Sequence, residues 1–157
     1  MTKEELIKLI ERNENRIDKT VFVNDDKNKD KLGSNQFREL AGICASAECY
    51  EEIELLIEYN IAKNTVVDKK GNKLDGNSWA KEKDGVSIGK VIIDCMKDVQ
   101  KKSKESEEDV MKNLSLFFGY MYWNARIWAK ENGDKGNRNN SKNYKRNNSY
   151  QYSGKGK

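Results

Sequence analysis

Residues 106–132 read SEEDVMKNLSLFFGYMYWNARIWAKEN. Val110, Leu114, Phe117, Phe118, Met121, Ala125 and Trp128 recur there at steps of three and four. That is the period of one face of an α-helix. A second face carries Lys112, Gly119, Trp123, Arg126 and Lys130, also at helical steps. The spacing predicts one helix with an aromatic stripe turned inward and a basic stripe, with a tryptophan in it, turned elsewhere. Such a helix is either a core element with a solvated side or an element that offers its second face to a ligand. Ser106 and Asp109 resemble a cap at its start, and Glu107, Glu108 and Asp109 complement the N-terminal dipole. Lys130 suits the other end, where Asn132-Gly133 reads as a left-handed stop.

Moving towards the N-terminus, Ser87 opens a helix with Ile88, Val91, Ile92, Cys95 and Val99 on one face. It fades into KKSKESEE. Before it, residues 64–86 exchange the helical pattern for glycine, asparagine and lysine. That composition predicts a long loop, with Gly71 and Gly76 permitting turns and Leu74 or Trp79 tacking it to the bundle. A hairpin over VVDKKGNKLD is a weaker alternative. Residues 34–63 carry a stripe of Phe37, Leu40, Ala41, Cys44, Tyr50, Ile53, Leu56, Ile57 and Ile61. They are read as two helices with a break near Ala47–Tyr50 and an N-cap at Gly33 or Ser34. NDDKNKDK at 24–31 has no periodicity and is a loop; Val21-Phe22-Val23 before it is a short apolar anchor. A capping box at Thr2-x-x-Glu5 starts a first helix expected over about 3–17.

The fold class that follows is all-α, a compact helical bundle of about five helices over residues 1–132. Phe117, Phe118, Met121, Ile53, Leu56, Ile57, Val91 and Ile92 are expected in one core. In a chain of 157 residues, hydrophobic and charged contents are both 36%, so that core is modest. There is no proline to break a long helix. After Gly133 no aliphatic residue remains, so residues 133–157 are expected to form a disordered basic tail rich in Tyr, Asn and Lys. That tail holds seven basic residues against one acidic, a net +6. The rest is near neutral, since the whole chain carries only +4. Tyr144, Tyr150 and Tyr152 among cations suit single-stranded nucleic acid, or the tail is a solubilising extension.

The same composition bounds the chemistry. Histidine, the usual general acid–base near neutral pH, is absent. No P-loop and no metal-ligand cluster is present, so neither catalysis nor a cofactor nor a metal is expected. Three cysteines without C-x-x-C spacing read as free thiols of a reducing cytoplasm. No apolar run reaches membrane-span length, and MTKEELIKLI has no signal-peptide pattern.

Three segments, in order, resemble the small helical subunit of type III CRISPR effector complexes of the Csm type. Leu32-Gly33-Ser34-Asn35-Gln36-Phe37-Arg38 is similar to the family's L-T-x-S-Q-x-R. Leu56-Ile57-Glu58-Tyr59-Asn60-Ile61-Ala62-Lys63 is similar to its leucine-rich segment closing on A-Y-x-A-[GS]-R, with Lys63 in the arginine position. Phe117-Phe118-Gly119-Tyr120-Met121-Tyr122-Trp123-Asn124-Ala125-Arg126, with Ala129-Lys130, is similar to its F-x-x-Y-M-E-A-x-V-A-x-x-K ending. The resemblance spans about residues 32–133; the segment 64–86 looks like an insertion and the tail lies outside it.

The resemblance implies a helical bundle without catalysis of its own. Several copies would stack in an antiviral ribonucleoprotein, touching guide RNA and target RNA through the backbone and contacting other subunits. Arg38, Lys63, Arg126 and Lys130 would face phosphates, Lys69, Lys70 and Lys73 would add to them, and Trp123 lies in the same stripe. The alternative is a helical protein-interaction module, a regulator or adaptor that binds no RNA, using the aromatic crowd of Tyr120, Tyr122, Trp123 and Trp128.

Overall fold

The structure is a computed structural model that describes residues 1–23, 31–103 and 106–148, with side chains through Gly133. The loop expected at 24–31 lies, except for Lys31, outside the described residues. Helix α1 spans Lys3–Asn13, shorter than the expected 3–17, because the chain tightens into a 3-10 turn at Glu14–Arg16. Its capping box is complete: the Glu5 amide donates to Thr2 Oγ1 at 3.1 Å and the Thr2 amide donates to Glu5 Oε2 at 2.7 Å. Leu6, Leu9 and Ile10 form its buried face.

Val21 and Phe22 are buried, and the two-residue strand β1 (Phe22–Val23) pairs in parallel with β2 (Leu32–Gly33). Helix α2 (Asn35–Ser46) and helix α3 (Tyr50–Asn64) are separate, with the break where the small residues end. Ser34 holds the N-cap position of α2 without a side-chain cap. Helix α4 (Ile88–Lys102) starts at Ser87, whose hydroxyl accepts from the Lys90 amide at 3.2 Å. Helix α5 (Glu107–Asn148) starts at Ser106, whose hydroxyl accepts from the Asp109 amide at 3.2 Å.

The expected stop at Asn132-Gly133 is corrected. Gly133 is not in the left-handed region, and the backbone of α5 remains helical to Asn148. A glycine costs a helix interior only about 1 kcal/mol, and no proline follows to end it. So residues 133–148 carry helical backbone where a tail without structure is expected, and residues 149–157 lie outside the described ones.

The segment 64–86 is more ordered than a loop. Strands β3 (Val66–Val67) and β4 (Lys73–Leu74) form a small hairpin, turned at Gly71 with φ +82. Asp68 pins that turn by accepting from the amides of Lys70 and Asn72, which holds its carboxyl below the usual range. A 3-10 turn at Ser78–Ala80 buries Trp79, and strands β5 (Glu82–Lys83) and β6 (Val86–Ser87) pair around Asp84-Gly85. Trp79 is the tack that holds the segment, while Leu74 remains exposed. The all-α expectation thus narrows to mostly helical: five helices and three two-residue strand pairs among the described residues.

One contiguous core runs from Leu6 to Ala129. Helix α5 supplies Leu114, Phe117, Phe118, Met121 and Ala125 to it, all essentially inaccessible. Fully burying each large apolar side chain contributes about 1.5–3 kcal/mol. Rings link the layers, with Phe22 against Trp128 at 5.1 Å and Phe37 against Trp79 at 5.4 Å. Helices α3 and α4 approach so closely at Gly89 that a Cβ there would lie 2.3 Å from the Ile61 side chain.

Candidate nucleic-acid interface

The exposed face of α5 follows from the same spacing that builds its buried face. Trp123 is 62% exposed and Ile127 56%, and Lys112, Arg126 and Lys130 share that side. Trp123 leans on Tyr120 with ring centroids 5.8 Å apart. Arg126 lies over the Tyr122 ring at 5.7 Å, and its Nη1 donates to the Tyr122 hydroxyl at 3.2 Å. That stacking limits the guanidinium's freedom while leaving donors for an anion.

Helix α2 packs along α5, and the first residue of α3 meets the start of α5. The Tyr50 amide donates to Glu107 at 2.7 Å, and Ser115 Oγ donates to the Ala41 carbonyl at 2.9 Å. Arg38, one helical turn before Ala41 on α2, is exposed. A Cβ at Gly119 would meet nothing within 4 Å, so the surface of α5 is open there. Trp123, Arg126 and Lys130 therefore share the exposed side of α5, and Arg38 is exposed on the neighbouring α2.

The remaining candidates lie elsewhere. Lys63, in the last turn of α3, lines a polar cleft of about 630 Å³ on the other flank of α2, with Lys31, Gln36, Glu39, Asn60 and Asn64. Lys69 and Lys70 sit exposed at the β3–β4 turn. Lys73 pairs with Glu82 across to β5, so its charge is engaged. The eight residues thus divide between α2 and α5, the cleft beside α3, and the β3–β4 segment, and Trp123, Arg126 and Lys130 share one helix face.

Among the described residues, ion pairs use Lys8, Arg16, Lys19, Lys73, Lys81 and Lys97. None of Arg38, Lys63, Arg126 or Lys130 has a carboxylate within ion-pair distance there. No group of His, Cys, Asp or Glu among the described residues is arranged to hold a metal. Cys44, Cys49 and Cys95 are free thiols; Cys44 and Cys95 are buried and Cys49 is partly exposed. No helix of the described residues is long and apolar enough to cross a membrane. Sequence reasoning missed Lys31, Glu39 and the role of Gln36 in the cleft; no local periodicity marks them, because the cleft closes only when α2, α3 and the Trp79 turn meet.

Comparison with known proteins finds no matching family model, no matching curated protein and no matching solved structure.

Proposed function

We propose that the chain is a non-catalytic RNA-binding subunit that grips the nucleic-acid backbone, of the kind represented by the small subunits of type III CRISPR effector complexes. In this reading several copies line guide and target RNA in the cytoplasm, beside other subunits of the assembly. The observation that carries it is the exposed face of α5, where Arg126 and Lys130 stand with the exposed Trp123 ring and have no carboxylate partner among the described residues; exposed Arg38 on α2 likewise has none there. Cations of this kind contact phosphates without reading sequence, and an exposed indole stacks on any base. The fold forms ion pairs at six other places among the described residues, so these cations are not left over for want of acids. The sequence resemblance supports the assignment to an effector complex.

The test belongs in the assembled complex. Arg126→Ala with Lys130→Ala should weaken binding alike for all RNA sequences. On single strands each lost phosphate contact flattens the log–log salt slope by about 0.7, so the pair should flatten it by roughly 1.4. Folding should survive, since both side chains are exposed. An unchanged affinity and slope would reject the reading.

A second reading, a protein-interaction module without RNA, draws on exposed apolar surface. Trp123 and Ile127 on α5, and Leu55 (66% exposed) with Tyr59 (60%) on α3, are large side chains left in solvent. It would lead if the double variant left RNA binding intact while Trp123→Ala abolished assembly.

A further inference from the structure

The polar cleft between α2 and α3 is separate from the α5 face, and its side chains have defined valences left over. Trp79 Nε1–H, which can only donate, bonds to Gln36 Oε1. Trp79 is 1% exposed, so this bond is fixed by the core. It anchors the Gln36 amide by its oxygen and leaves the –NH₂ of this cleft-lining side chain as a donor with no partner among the described residues. Glu39 follows one helical turn later on the same wall, exposed and with no cation within ion-pair distance among the described residues. Side chains three apart on a helix are neighbours, about 5–6 Å between Cβ atoms. The wall therefore presents one donor and then two carboxylate acceptors. Lys63 faces it from α3, also without a carboxylate partner among the described residues.

We propose that this cleft binds a guanine nucleotide, with the base edge on Gln36 and Glu39 and the phosphate on Lys63. The Watson–Crick edge of guanine offers O6, N1–H and N2–H in a row. O6 accepts from the Gln36 amide, and N1–H and N2–H donate to the Glu39 carboxylate. Adenine puts an amino donor against the Gln36 amide and an acceptor against Glu39. Cytosine repeats that mismatch. Uracil satisfies Gln36 and one carboxylate oxygen, but sets its O2 against the other. The ligand is thus a free guanine nucleotide or an unpaired guanosine of an RNA strand, and the cleft needs neither Arg126 nor Lys130.

Calorimetric titration of the full chain with GMP, AMP, UMP and guanosine tests this. A site that hydrogen-bonds one base edge leaves its polar groups unpaired against a mismatched one. GMP should bind at least about tenfold more tightly than AMP and more tightly than UMP. Glu39→Gln should remove most of that preference with an unchanged circular dichroism spectrum, since Glu39 is exposed. Lys63→Ala should weaken GMP but not guanosine, which has no phosphate. Arg126→Ala with Lys130→Ala should leave GMP binding as it was, which keeps this result distinct from the RNA test above. GMP bound no better than AMP, no binding at millimolar GMP, or a Glu39→Gln variant with the full preference would each overturn the proposal. If it stands, titration with short oligonucleotides bearing a single guanosine separates the free nucleotide from the strand.

Discussion

Phe118 is wholly buried on α5, its ring edge-on to Phe117 at 5.2 Å. Removing it takes away the transfer energy of the ring and leaves a cavity that the packed layers cannot fill. Phe118→Ala should lower unfolding free energy by about 3–5 kcal/mol, measured by urea denaturation. The buried thiols act at the other end of the pH scale. Burial pushes Cys44 and Cys95 up to about 12, against an ordinary thiol near 8.5. The folded state then holds its protons where the unfolded chain releases them. Their contribution is fully present below the unfolded value and is lost as pH rises towards about 12. Urea midpoints of the native chain should therefore fall across alkaline pH more steeply than those of a Cys44→Ala, Cys95→Ala variant. Under native conditions an alkylating reagent should label Cys49 first, since it alone of the three is partly exposed.

At the scale of elements, α5 is held at its middle as well as along its stripe. Asn132 Nδ2 donates to the carbonyls of Lys19 at 2.8 Å and Phe22 at 3.0 Å, tying the helix to the turn before β1 and to the start of β1 itself. Asn132→Ala leaves both acceptors without that donor and should cost about 1–3 kcal/mol, read as a lower melting temperature with unchanged helicity. The sequence suggests a helix stop for this residue, and the role it has depends on chain folded back from far away. The contrast runs through the molecule. The helix faces were legible because their evidence is local: steps of three and four, a capping box at Thr2, a hydroxyl at Ser87. The order within residues 64–86 was only partly legible, because Trp79 finds Gln36 and Gly89 admits Ile61 across long separations. The exposed face of α5 could be read from spacing alone. That Lys63 lies away from that face, in a cleft with Gln36 and Glu39, could not, since the packing of α2, α3 and the Trp79 turn decides it.

For the whole molecule, charge and core are segregated along the chain. Among the described side chains the core reaches Ala129, and the net +6 begins after Gly133. Truncation after Gly133 removes positive charge and no aliphatic side chain. The melting temperature should move little, while RNA affinity of the assembled complex should fall and lose salt dependence. A large drop in melting temperature would instead mean that the terminal segment packs on the core. The contact at Gly89 reaches further than stability. Its missing Cβ leaves the space that Ile61 fills, so a larger residue at 89 requires a smaller one at 61. In a set of diverged sequences sharing this fold, those two positions should change together, one gaining volume as the other loses it. That makes the pair a marker of common ancestry in chains whose overall identity has decayed past recognition.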